Sequence, residues 1–182
     1  MIAAIIYYIA SSSAILFYGI GIGRTISLRD DMSLIFLSCM KSLSTSASTV
    51  SVSYLICYWL LVKVGLAELY PFVTALVFMF FSILIEIFIG IGIRKSPAEF
   101  SITLLSSILA MNEGVSIAHS VVIVCACVVS FYLLMVVFHS IRDRVGFYTN
   151  PAGVKIYPVL LFSLAAAILA IFGWNISWFN MI

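Results

Sequence analysis

Apolar residues run along this chain in long blocks, and short polar clusters cut between them. Neither the 3.6-residue period of a half-buried helix nor strand alternation dominates, so the blocks themselves are the signal. A helix that crosses a bilayer needs about 20 apolar residues. Residues 2–22 form the first such block, interrupted by Ser11-Ser12-Ser13 and closing on Gly19, Gly21 and Gly23. A polar loop follows at 24–31. Residues 32–62 are too long for one helix standing upright in a membrane, and their middle, 41–53, is rich in serine and threonine. The third block, 70–93, ends at Arg94-Lys95-Ser96-Pro97, and the fourth, 98–111, stops early at Asn112-Glu113-Gly114. The fifth, 115–141, is closed by Arg142-Asp143-Arg144, and the sixth covers 156–174. Six spans in one membrane domain over 1–182 is the expectation.

Composition agrees with the blocks. Of 182 residues, 64% are hydrophobic and 9% charged, with a mean hydropathy of +1.26. A soluble domain carries roughly 25% charged residues, so this chain has too few to cover a water-facing surface. That excludes a soluble enzyme. A net charge of +2 gives no footing for nucleic acid. Residues 1–10 lack a basic region and a small-residue cleavage site, so the start reads as a span and not as a cleavable signal.

The basic residues set an expected orientation. Arg24, Arg29, Arg94, Lys95, Arg142, Arg144 and Lys155 all fall after the first, third and fifth spans. Only Lys63 lies on the opposite side, and Lys41 lies inside the second span. Basic loops stay cytoplasmic, which places Arg29, Lys95 and Arg144 inside and both termini outside. Trp174 and Trp178 suit an interfacial aromatic belt.

Two interruptions stand at matching places. The first helix carries three serines at mid-depth and the fourth is short, and these open the two three-helix halves, 1–93 and 94–182. Interrupted helices in corresponding positions suit an inverted repeat with its site at the repeat interface. The plainer alternative is that the serines bond back to their own turn and that Asn112-Glu113-Gly114 is a tight external loop.

Few side chains offer chemistry. Glu86 and Glu113 are acids in or near apolar blocks, where an ionisable group is costly and commonly functional. Glu86 lies eight residues before Arg94, about 12 Å from that end at 1.5 Å per residue. Lys41 enters from the same side, so an ion pair with Glu86 and an ion or proton path are both open. Cys39, Cys57, Cys125 and Cys127 sit in apolar stretches and read as small buried hydrophobes. His119 and His139 are about 30 Å apart on one helix and cannot share a metal. The serines and threonines of the second span suit close helix packing, and no base accompanies them for nucleophilic catalysis. No catalytic site is expected.

The order of these segments resembles one family. Ile9-Ala10-Ser11-Ser12-Ser13-Ala14-Ile15-Leu16, Gly21-Ile22-Gly23-Arg24, Arg94-Lys95-Ser96-Pro97, the run from Ser107 to Glu113, Ile141-Arg142-Asp143-Arg144 and Pro151-Ala152-Gly153 are together similar to the small six-helix subunits of Rnf/Nqr ion-translocating electron-transport complexes. The A-type and E-type subunit, with its outward N-terminus, is the nearer likeness. The resemblance implies a bacterial or archaeal inner-membrane location. It also implies further integral membrane subunits as partners, one of them an oppositely inserted homologue, and electron transfer coupled to Na+ or H+ movement. It implies a shared [2Fe–2S] cluster whose ligand positions are here Gly23 and Glu113. Glycine offers no side chain, and a carboxylate oxygen is a hard donor where the cluster wants thiolate. A member without its own cluster ligands is therefore expected, with a stand-alone inverted-repeat transporter and a cofactor-free scaffold as alternatives. Glu113, Glu86 and Lys41 are the ion-path candidates.

Overall fold

In hydrocarbon every backbone N–H and C=O must find a partner within the protein, which leaves helices as the natural solution for blocks of this kind. A computed structural model of the protein describes residues 32–89, 97–148 and 156–179, and among these it is helical with no strand. The first block and its serines, the glycines around Gly23 and the basic loops at 24–31, 94–96 and 151–155 lie outside the described residues.

Helix α1 covers Met32–Ile56 and continues unbroken through a π-helical turn, Cys57–Leu61, and a final turn, Val62–Val64. Its end is fixed by Gly65, whose φ of 76° only glycine adopts freely. The Leu66 N–H reaches back to the Leu61 carbonyl at 3.0 Å and the Gly65 N–H to Val62 at 3.4 Å, so two of the last carbonyls are satisfied. Helix α2 is Tyr70–Ile89, with Pro71 in its first turn, where a missing N–H costs nothing. Helix α3 is Pro97–Glu113 and again opens on proline. Helices α4, Ile117–Tyr148, and α5, Ile156–Phe179, complete the described bundle.

Among the described residues three stretches are long and apolar enough to cross a membrane: Ile35–Val64, Tyr70–Phe88 and Ile117–Arg144. A shorter apolar stretch, Pro158–Ala170, lies in α5. Two boundaries differ from the expected ones by more than two residues. The expected fifth span closes at Ile141, yet α4 runs on through Arg142-Asp143-Arg144 to Tyr148. Arginine propagates a helix well, so this charged cluster ends the apolar stretch without ending the helix. Likewise α5 passes Trp174 and reaches Phe179.

Helix α1 is the hub, packed against α2, α3 and α4, while α5 leans chiefly on α4. Apolar contacts gather in two clusters. One joins Ile35, Ile102, Tyr132, Met135, Phe138 and Leu160. The other joins Val50, Ala110, Ile123, Val124 and Cys127 at the end where α3 turns into α4, the hairpin end. Phe78 of α2, fully buried, meets Phe100 of α3 edge to face at 5.0 Å.

Candidate functional site

Repeated i, i+4 spacing puts residues on one helix face, and on α1 that face is polar. Lys41, Thr45, Thr49 and Ser53 share it, with Ser42 and Ser46 beside them, and all six are buried. The facing helices answer in kind. From α3 come Thr103, Ser106 and Ser107, from α4 Ser120, Ser130 and Tyr132, and from α2 Thr74 and Ser82, all buried. A hydroxyl-lined seam therefore runs along the inward face of α1, alongside both apolar clusters.

Most of these hydroxyls donate to their own helix. Thr45 donates to the Lys41 carbonyl at 2.6 Å, Ser46 to Ser42 at 2.8 Å and Thr49 to Thr45 at 2.7 Å. Thr103 reaches Glu99 at 2.8 Å, and Ser107 reaches Thr103 at 2.7 Å. Bonded this way, a small polar side chain sits in an apolar setting without an orphan donor and lets helices approach closely. The Ser42–Tyr132 bond crosses from α1 to α4, the two hydroxyl oxygens 2.9 Å apart.

The charged end of the seam holds the ion pair anticipated from depth. Lys41 Nζ lies 3.7 Å from Glu86 Oε1, the lysine side chain 4% exposed and the glutamate 49%. Glu99 is a further buried acid, inside the expected fourth span and not among the acids that the sequence singles out. It is 3% exposed. The signal was present in the spacing Glu99, Thr103, Ser106/Ser107, Ala110, one buried stripe at helical period.

Glu113 lies elsewhere. It is the last residue of α3 and is exposed, next to Asn112, which accepts a 3.1 Å bond from the Tyr70 hydroxyl. The fourth helix runs unbroken through Asn112 and Glu113, so these two residues close the helix and do not form a loop, and the turn into α4 begins at Gly114. The Gly114 N–H bonds to the Ala110 carbonyl at 3.0 Å, and Ser116 caps α4 by accepting the His119 N–H at 3.3 Å. A Cβ on Gly114 would collide with Ser120 Oγ and stand 2.6 Å from the Ala110 carbonyl. Only glycine fits. Tyr54, thirteen residues beyond Lys41, bonds to the Val115 carbonyl at 3.2 Å, so Glu113 and the Lys41–Glu86 pair are about 20 Å apart along the bundle.

No family model, curated protein or solved structure matches the chain. The donor set must then speak for itself. Gly23 lies outside the described residues, and the other cluster position presents a carboxylate. Cys39 packs beside the first apolar cluster, Cys127 belongs to the second with Cys125 packed against it, and Cys57 stands in the π-turn. Among the described residues no three His, Cys, Asp or Glu side chains converge as a metal would require. These residues do not fit a [2Fe–2S] cluster, which wants four soft ligands, half of them from this chain in the resembling family. His139 Nδ1 instead faces Asp143 Oδ2 at 3.2 Å, one turn along α4.

Proposed function

We propose that this protein is a membrane subunit of an Rnf/Nqr-like electron-transport complex that couples electron transfer to Na+ or H+ movement, without cluster ligands of its own. The order of motifs along the whole chain carries this reading, from the serine-broken first block through Ile141-Arg142-Asp143-Arg144 to Pro151-Ala152-Gly153. In this reading the six spans form an inverted repeat, the cytoplasmic face carries the basic loops, and an oppositely inserted homologous subunit stands beside this one. The Lys41–Glu86 pair supports ion coupling, because an ionisable residue inside a span is costly and persists where it serves a path. Glu113, exposed on the single chain, is placed to meet a partner.

The same buried lysine favours a second reading, a stand-alone inverted-repeat transporter that uses Lys41 and Glu86 for its own substrate. The two separate cleanly. Purified in mild detergent from its native membrane, the protein is expected to bring at least one further multi-span subunit with it. Iron in the assembly should survive Glu113→Gln. A lone, well-behaved monomer that moves a solute in liposomes would replace the complex with the transporter.

A further inference from the structure

One hydroxyl in the seam breaks the pattern. Ser53 is fully buried, with 0% exposure, yet its Oγ has no hydrogen-bond partner, although the Thr49 carbonyl lies one turn behind as it does for every back-bonded neighbour. His119 Nδ1, on α4, is a second buried polar atom without a partner. The two belong to one place. Val50 and Ile123 pack together in the hairpin-end cluster. Ser53 is three residues beyond Val50 on α1, and His119 is four residues before Ile123 on the antiparallel α4. Both steps keep the same helix face and move toward the hairpin. Tyr54 bonded to the Val115 carbonyl fixes the two helices at that level.

Leaving a buried hydroxyl unbonded costs about 1–3 kcal/mol, and two unpartnered polar atoms at the same end of the α1–α4 packing point to something between them. Ser53, wholly enclosed by this chain, is out of reach of lipid and of any partner protein. We propose that a water molecule bridges Ser53 Oγ and His119 Nδ1 at the hairpin end of the seam. Serine can donate or accept, and so can the ring nitrogen, which gives a water two of the two to four partners that a buried water uses. The bridge ties α1 to the first turn of α4 and adds to the bond by which Tyr54 holds the Val115 carbonyl just before it. It holds whichever complex the protein serves.

A double-substitution cycle on the full chain in detergent tests this, read as the thermal midpoint. Ser53→Ala and His119→Phe should each lower it. The double variant should fall no further than the larger single loss, because either change alone empties the bridge. His119→Asn, which keeps a polar atom near the Nδ1 position, should stay near the parent. Additive losses, or a Ser53→Ala midpoint at or above the parent, would overturn the bridge. Replacing Na+ by choline should leave the parent midpoint unchanged. A Na+-dependent shift that Ser53→Ala abolishes would make the occupant a cation and overturn the water.

Discussion

Helices α1 and α2 are both long enough to cross a bilayer, yet they use their side chains in opposite ways. Helix α1 turns Ser42, Thr45, Ser46, Thr49 and Ser53 inward and leaves Phe36, Met40 and Leu55 exposed. Helix α2 sends Phe72, Leu76, Phe80, Ile83 and Phe88 outward and buries little besides Thr74, Phe78 and Ser82. In water this would be a fold turned inside out. In lipid, apolar surface gains nothing by leaving hydrocarbon, so association rests on close packing and on satisfied polar groups, which small hydroxyl side chains supply. The hub is the helix with the small polar face; the more uniformly apolar helix is the rim.

That contrast breaks most severely where the backbones are nearest. Gly114→Ala should cost about 3 kcal/mol, the upper end for overpacking, since the new methyl meets Ser120 Oγ and the Ala110 carbonyl together. Ser120→Ala in the same background should recover only part of the loss. Ser120 Cβ and the Ala110 oxygen would remain 2.8 and 2.6 Å from the added carbon. Thermal unfolding of the single and double variants in detergent measures both. A Gly114→Ala protein as stable as the parent would mean that the hairpin is looser than its hydrogen bonds require.

The charged end should respond less, and unevenly. Glu86→Gln removes the half-exposed partner and leaves the buried Lys41 ammonium with one interaction fewer, a loss of about 1 kcal/mol given the exposure of the glutamate. Lys41→Met removes the buried charge itself and should be neutral or stabilising, because exchanging a buried ion for an apolar side chain of similar length avoids its desolvation. Under the proposed function both variants nevertheless impair ion-coupled turnover. Equal unfolding midpoints for the two would mean that Lys41 draws nothing from Glu86.

How much of this could be read from the chain varies by element. Depth brought Lys41 and Glu86 to one level and left an ion pair and an ion path both open, since both residues lie a countable number of residues from a polar end. The start of α2 at Tyr70 and the turn after Glu113 were equally legible, marked by proline and glycine. The end of α4 was not, because a change from apolar to charged marks the edge of a bilayer and says nothing about where helical hydrogen bonding stops. Glu99 escaped for a related reason. Its burial depends on the helices packed against α3, a tertiary fact that its place near Pro97 conceals. The serine and threonine run of α1 announced close packing, but which hydroxyl would lack a partner is decided by single side-chain orientations.

The smallest effect is the most informative about what the seam is for. Thr49 is fully buried and donates to the Thr45 carbonyl at 2.7 Å, an oxygen already placed to accept the helical N–H. Thr49→Val keeps the branched shape and removes only this redundant bond, so the stability change should stay within about 0.5 kcal/mol. Thr49→Leu adds volume where α1 meets its neighbours and should cost about 1–3 kcal/mol. That ranking is what a packing seam requires, with shape deciding and the hydroxyl incidental. A conducting seam would invert it, because the hydroxyl oxygens of Ser46 and Thr49 would then serve a passing cation or proton. In that case Thr49→Val would leave the unfolding midpoint in place and still lower ion-coupled activity severalfold in the reconstituted assembly. The pair of measurements, midpoint and coupled activity on the same Val variant, therefore assigns the inward face of α1 to packing alone or to packing and passage together.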